Sequence, residues 1–237
     1  MTRRRWIADE VKGNRAALVG AHAAHLSRTL RAQVGQEFEV ACGDTVRRAV
    51  VVSVNDGRVE FELGDEVAAV VVTPITLLLA VFKFDRMEWA IEKCTELNVT
   101  SIVPVITRRT EKHLAQAAEK RVERWRRLAR EAAEQARRVV PPEIGDPVNL
   151  GEALKTTAEL QVVLAEIEPE PQLMDVLRQG SAMSSVALAV GPEGGWTADE
   201  LTLLEKAGWI SASLGATILR AETAAIVAVA ITRAGIG

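Results

Sequence analysis

The run Leu77-Leu-Leu-Ala-Val-Phe82 constrains this chain more than any other feature. An unbroken apolar run of that length describes a strand covered on both faces, as in the middle of a parallel sheet. Asp85 follows as an N-cap, with Glu88 at the capping-box position. Met87, Ala90, Ile91, Cys94 and Leu97 then recur at intervals of three and four, one apolar stripe of a helix. Ser101-Ile-Val-Pro-Val-Ile106 is a second strand. Strand, helix and strand make a βαβ unit, so the sheet is parallel and needs more helices to cover it.

The later sequence supplies them. Between Glu111 and Arg138 the residues Leu114, Ala118, Val122, Trp125, Ala129, Ala132 and Ala136 predict one long amphipathic helix with an arginine-rich outer face, stopped by Pro141-Pro142. Leu160–Ala165 and Val186–Val190 read as buried strands, and Thr197 with Glu200 as the capping box of a helix that Gly208 closes. Ile210–Leu214 is the last strand and Arg220–Arg233 the last helix. Before Val72 the pattern differs. Short β-type runs start at Phe38, Arg48 and Arg58, the last two joined through Asn55-Asp56-Gly57, with a short helix over His22–Arg31. The expected division is a small β-barrel over 1–72 and an α/β domain over 73–237.

Charge is segregated along the chain. Residues 107–138 hold eleven basic and five acidic side chains, whereas residues 139–237 hold five and thirteen. A basic surface on an acidic protein is a possible polyanion footprint, and a solvated, salt-bridged helix face explains the same pattern. No apolar run is long enough for a membrane span, and the basic start Met1–Trp6 lacks the apolar segment of a signal peptide. Two cysteines make no disulfide framework, and no CxxC, HExxH or paired-histidine spacing offers a metal site. A cytoplasmic, metal-free protein is expected.

Ligands of open α/β sheets bind beyond the carboxyl ends of the strands. Two segments there have unusual composition. Gly191-Pro-Glu-Gly-Gly-Trp196 follows Val186–Val190, and its glycines let backbone amides approach a ligand. It is neither GxGxxG nor a P-loop, and Glu193 would repel a phosphate, so it suits an uncharged or cationic ligand; a tight strand-to-helix turn is the plainer reading. Leu214–Ala224 places Arg220 and Glu222 at the start of the last helix. An arginine there opposes the helix dipole, which implies a contact with a ligand or a buried Arg220–Glu222 pair.

Leu188-Ala-Val-Gly-Pro-Glu-Gly-Gly-Trp-Thr-Ala-Asp-Glu-Leu201 and Leu214-Gly-Ala-Thr-Ile-Leu-Arg-Ala-Glu-Thr-Ala224 resemble the C-terminal motifs of the ribosomal RNA small subunit methyltransferase E family, within the SPOUT methyltransferases. Lys83–Leu97, Pro104–Arg109, and Trp125 through Ile144 resemble its middle segments, and His25–Arg31 its PUA-like RNA-binding module. The resemblance implies a SPOUT domain with a C-terminal trefoil knot behind a PUA-like β-barrel, forming a homodimer. It implies transfer of a methyl group from S-adenosylmethionine to N3 of uracil 1498 in 16S rRNA, on the small ribosomal subunit. It places the cofactor on Leu164, Glu166, Val190, Gly191, Pro192, Glu193, Gly194, Gly195, Leu214, Gly215, Ile218, Leu219, Arg220 and Thr223. Arg220 is the candidate that favours an anionic uracil, with Glu222 orienting it. RNA contacts are expected from Arg5, Arg28, Arg31, Lys83, Arg86, Arg109, Arg137 and Arg138. Asn98 and Arg137 stand where the family usually has glycine, and Thr217 where it often has arginine. A different RNA position, a non-catalytic RNA-binding protein and a nucleotide-dependent small-molecule enzyme are the alternatives; the absence of GxGxxG and GK[ST] speaks against the last.

Overall fold

Buried and exposed positions alternate along Thr45–Asn55 (β5) and Arg58–Val67 (β6). In the computed structural model, which describes residues 5–55, 57–67, 72–165, 171–179 and 183–236, the two segments pair as a long antiparallel hairpin. Asn55 pairs with Arg58, and Gly57 supplies the positive φ, +81°, that so tight a turn requires. Asp56 lies outside the described residues. Around the hairpin stand β1 (Trp6–Ile7), β2 (Glu10–Lys12), β3 (Arg15–Val19) and β4 (Glu37–Cys42), in the order β1-β4-β5-β6-β3-β2. The β1–β4 pairing is parallel and the others antiparallel, so the sheet is mixed.

The expected small barrel is instead a half-barrel. Register shifts at Arg47/Ala49 and Val51/Ser53 curl β5, but the edge strands β1 and β2, of two and three residues, do not pair with each other. Trp6, Leu18, Leu26, Val40, Val51, Val59 and Phe61 are fully buried inside the curl. The helix expected over His22–Arg31 is a short α1 (Gly20–Ala24) continued by a π-helical turn, His25–Thr29. Arg31 follows with φ +52°.

The chain divides into two units, Met1–Val71 with Ala133–Pro141, and Val72–Ala132 with Pro142–Gly237. The first unit thus takes in a later piece of chain that a single boundary near 72 leaves out. Within it Arg137 has φ +58°, so the usual glycine is explained by the backbone. Its carbonyl accepts from Arg5 Nη1, and both guanidiniums donate to Glu39 Oε2 at 2.8 Å. These bonds, from Arg137 first and then Arg5, hold the Glu39 carboxyl below the usual range. A carboxyl with a depressed folded pKa contributes stability that is whole above its unfolded pKa and vanishes as pH falls through the folded value. Chemical unfolding between about pH 6 and about pH 3 should therefore show a steeper loss of stability for the wild type than for Glu39→Gln. Parallel profiles would contradict this.

The second unit is built on an all-parallel sheet. Its strands are β7 (Ile75–Ala80), β8 (Ser101–Ile106), β9 (Glu143–Ile144), β10 (Val148–Asn149), β11 (Leu160–Leu164), β12 (Val186–Val190) and β13 (Ile210–Ala212). The order is β10-β8-β7-β12-β11-β13, with β9 also on β8. Leu77 and Leu79 face α2 (Phe84–Glu96), α3 (Lys112–Ala117), α4 (Val122–Gln135), α6 (Leu173–Gln179) and α8 (Ala221–Ile236) in one core. Leu78 faces the other side, with α5 (Leu150–Ala153), α7 (Ala198–Lys206), Trp196 and Trp209. That two-sided burial is what the apolar run at 77–82 demands.

Two local expectations are corrected. Helix α2 begins earlier than the expected box, at Phe84, so its N-cap is Lys83, whose side chain has no acceptor to offer. Asp85 then lies inside the first turn, and Glu88, past the N3 position, pairs with Arg124 at 2.6 and 2.8 Å. The helix expected over Glu111–Arg138 is broken at Glu119–Arg121 by a 3₁₀ turn, where Arg121 N–H bonds Ala118 O. The Thr197–Glu200 capping box is formed, and Gly208 follows α7 with φ +88°. Asn98, at φ +65°, again occupies a backbone conformation that suits glycine.

Candidate functional site

The strand order decides which loops meet. Strands β12, β11 and β13 are adjacent and parallel, so their carboxyl ends lie side by side. Three loops leave from there: the one after Leu164, the glycine loop 191–196, and the segment 213–220 before α8. Ala165 N–H bonds Ala212 O at 3.0 Å, and Ser213 bridges to Gln172. Glu166 lies outside the described residues.

The glycine loop is held from three directions. Gly195 (φ +71°) donates its N–H to Pro192 O at 2.8 Å, closing a turn. Trp196 folds back under it, 8% exposed, and its Nε1–H donates to Leu164 O at 3.1 Å. A Cβ on Gly191 would stand 3.1 Å from Trp196 Nε1, so the backbone passes directly over the indole. From the end of β8, Arg109 Nη1 donates to Gly194 O. Arg86 Nη1, on α2, meets Glu193 Oε1 at 2.6 Å. Below the loop, the buried Glu200 carboxylate accepts from Arg108 N–H at 2.8 Å and from Thr197 N–H and Oγ1–H at 2.9 Å each. Sequence reading placed Glu200 in a capping box but missed its reach to Arg108 and the bracing of the loop by Trp196; the signal was the tryptophan that ends the glycine run.

Beyond the loop, Val190 and Pro192 are buried, whereas Gly215 and Arg220 are exposed, and Ile218 is 82% exposed. Leu214 and Leu219 are half-buried, Leu214 against the core. Among the described residues no hydrogen bond or ion pair engages the Arg220 side chain. The expected Arg220–Glu222 pair is absent. Glu222 Oε1 instead faces Arg86 Nε at 3.9 Å, because the first turn of α8 packs towards α2 and carries Glu222 inward. Thr223 lies elsewhere, in a groove of about 390 Å³ with Trp89, Lys93, Glu96, Leu97, Ile226 and Val227.

The basic candidates divide into engaged and open. Arg5 and Arg137 are held by Glu39, Arg86 by Glu193, and Arg109 by Gly194 O. Lys83 and Arg31 are exposed. Burial pushes the Cys94 thiol up to about 12, which removes it as a nucleophile. No group of His, Cys, Asp and Glu that could hold a metal occurs among the described residues.

A parallel sheet with a braced glycine loop after β12 and an unengaged arginine in the segment after β13 has the features of an α/β ligand-binding protein, with its candidate site at the carboxyl edge of β11, β12 and β13. Comparison narrows this. Residues 71–233 match the model of the RNA methyltransferase domain. The ribosomal RNA small subunit methyltransferase E of Synechocystis is 35% identical over 217 residues, 90% of this chain and 71% of that relative. The protein of the same name from Rickettsia conorii is 40% identical over 162 residues, 67% of this chain and 64% of that one. The crystal structure of the Neisseria gonorrhoeae ribosomal RNA small subunit methyltransferase E bound to S-adenosyl methionine superimposes with a TM-score of 0.84 at 29% identity, covering 96% of this chain and 95% of that one. The chain belongs to the RNA methyltransferase family, in its ribosomal RNA small subunit methyltransferase E branch.

Proposed function

We propose that this chain is an S-adenosylmethionine-dependent 16S rRNA methyltransferase acting on N3 of uracil 1498. The observation that carries the reading is a braced glycine loop after β12 at the same carboxyl edge of the sheet as the segment after β13, which ends in an unengaged Arg220. The residues fit the cofactor. Gly191, Gly194 and Gly195 leave the loop backbone uncovered by side chains, the Gly195 N–H and the Gly194 carbonyl serving to brace the turn, and Trp196 fixes the loop over the end of β11. Bound there, S-adenosylmethionine supplies a methyl group activated by its sulfonium sulfur.

Uridine N3 is protonated at neutral pH and must lose that proton before it becomes a nucleophile. Arg220 favours the anionic base by standing near charge that develops on the uracil carbonyls. The loops contribute by holding donor and acceptor in line. Insertion of β12 between β7 and β11, with β13 beyond β11, supports a trefoil-knotted SPOUT architecture. We assign the first unit, built on the mixed half-barrel, to PUA-like RNA binding, with Arg28 in its π-helical turn and Arg31 after it. Arg138 and, on the other unit, Lys83 are the further candidates for RNA phosphates.

The apolar α8 leaves Ile226 and Val227 half-buried beside an exposed Trp89, and this face supports homodimerisation. No helix among the described residues is long and apolar enough to cross a membrane, and the reading places the protein in the cytoplasm with its rRNA. The test is transfer of labelled methyl from S-adenosylmethionine to small ribosomal subunits lacking the modification. Incorporation into 16S rRNA is expected. Cofactor binding without incorporation would favour the non-catalytic reading.

A further inference from the structure

The resemblance expected Arg86 to contact RNA, but its surroundings point elsewhere. Arg86 lies in the first turn of α2, a helix rooted in the core by Met87, Ala90, Ile91 and Cys94. Its Nη1 is 2.6 Å from Glu193 Oε1, the one acidic side chain of the glycine loop, and its Nε is 3.9 Å from Glu222 Oε1. The Glu222 side chain is only 5% exposed, and its Oε2 has no hydrogen-bond partner among the described residues. One guanidinium on a rigid helix therefore stands against both the second loop of the site and the helix start that follows the third.

An ion pair about one-third exposed adds little to overall stability. Its effect on a loop with three glycines is different, because such a loop has much backbone freedom to lose when a ligand binds. A contact that removes this freedom beforehand lowers the ordering cost of binding. A guanidinium already facing two carboxylates is also poorly placed to neutralise a phosphate. We propose that Arg86 is a positioning residue that pre-orders the Gly191–Trp196 loop for S-adenosylmethionine by tying Glu193 to the Glu222 end of α8. This rests on the reading of that loop as the cofactor loop.

Calorimetric titration of S-adenosylmethionine without RNA tests the assignment on Arg86→Met, Arg86→Lys, Glu193→Gln and the Arg86→Met/Glu193→Gln double variant. Each of Arg86→Met and Glu193→Gln should weaken cofactor binding on the order of tenfold, and the double variant no more than either, because the two share one contact. Arg86→Lys should recover part of the loss. The KM for the ribosomal substrate and its salt dependence should stay as in the wild type. A mainly structural role would lower the melting temperature of the free protein without this coupling, and that pattern would overturn the proposal. Unchanged cofactor affinity in Arg86→Met, or a raised KM for RNA with a flatter salt dependence, would likewise overturn it. If Arg86→Met fails to fold, Arg86→Gln replaces it, keeping a polar side chain on α2 without the charge. Unchanged cofactor affinity there would overturn the proposal, because Glu193 is itself a candidate cofactor contact and its variant cannot decide alone. A wild type that binds no S-adenosylmethionine would instead bring down the cofactor-loop reading itself.

Discussion

Arg220→Ala should lower the rate of methyl transfer by about 10²- to 10³-fold while leaving S-adenosylmethionine affinity within a few-fold of wild type. That range is what removal of one charge-stabilising donor costs when charge develops at the reacting group. The structure makes Arg220 a good subject for the test. It is exposed, it precedes the first residue of α8, and no partner among the described residues would be stranded by its loss. Folding should consequently be unaffected. Single-turnover transfer and calorimetric binding together separate the cases. Undiminished transfer would remove Arg220 from the mechanism, and a parallel loss of cofactor binding would make it a binding residue instead.

The largest effect on stability is expected at Trp196. Its indole is 8% exposed, packs in the core beneath α7 and donates to Leu164 O at 3.1 Å. Trp196→Ala removes a large buried ring and leaves a cavity under the glycine loop, at a cost of about 3–5 kcal/mol. The corresponding drop in melting temperature is roughly 10 °C for a chain of this size. Trp196→Phe retains an aromatic ring and forfeits the hydrogen bond, about 1 kcal/mol. Cofactor binding should fall sharply in the alanine variant and mildly in the phenylalanine variant. Equal melting temperatures for Trp196→Ala and wild type would refute the role of the indole as the floor of the loop.

How much of this was legible in the sequence depended on the range of the interactions. The run at 77–82 and the stripe from Met87 to Leu97 announced a buried parallel strand and its helix, because periodicity and burial are local properties. The Thr197–Glu200 box was legible for the same reason, and Glu200 then proved to reach Arg108 as well. The Asp85–Glu88 pattern was equally local and failed, since packing starts the helix at Phe84 and leaves Asp85 inside its first turn, with Glu88 paired to Arg124 instead. The adjacency of β12 to β7 and of β13 to β11 leaves no trace in spacing, so the meeting of the three loops had to come from resemblance. Glu222 illustrates the limit most clearly. Its nearness to Arg220 in sequence suggested a pair, but α8 turns it towards Arg86, more than a hundred residues earlier. The positive φ values of Asn98 and Arg137 conversely explain two departures from the family pattern that composition left opaque.

The most direct test of the account is to identify the methylated nucleoside. Small ribosomal subunits lacking the modification would be incubated with the protein and S-adenosylmethionine, then digested and analysed by mass spectrometry. The expected product is N3-methyluridine, formed by the wild type and formed far more slowly with Arg220→Ala. A different methylated nucleoside, or none from protein that binds both cofactor and subunits, would contradict it.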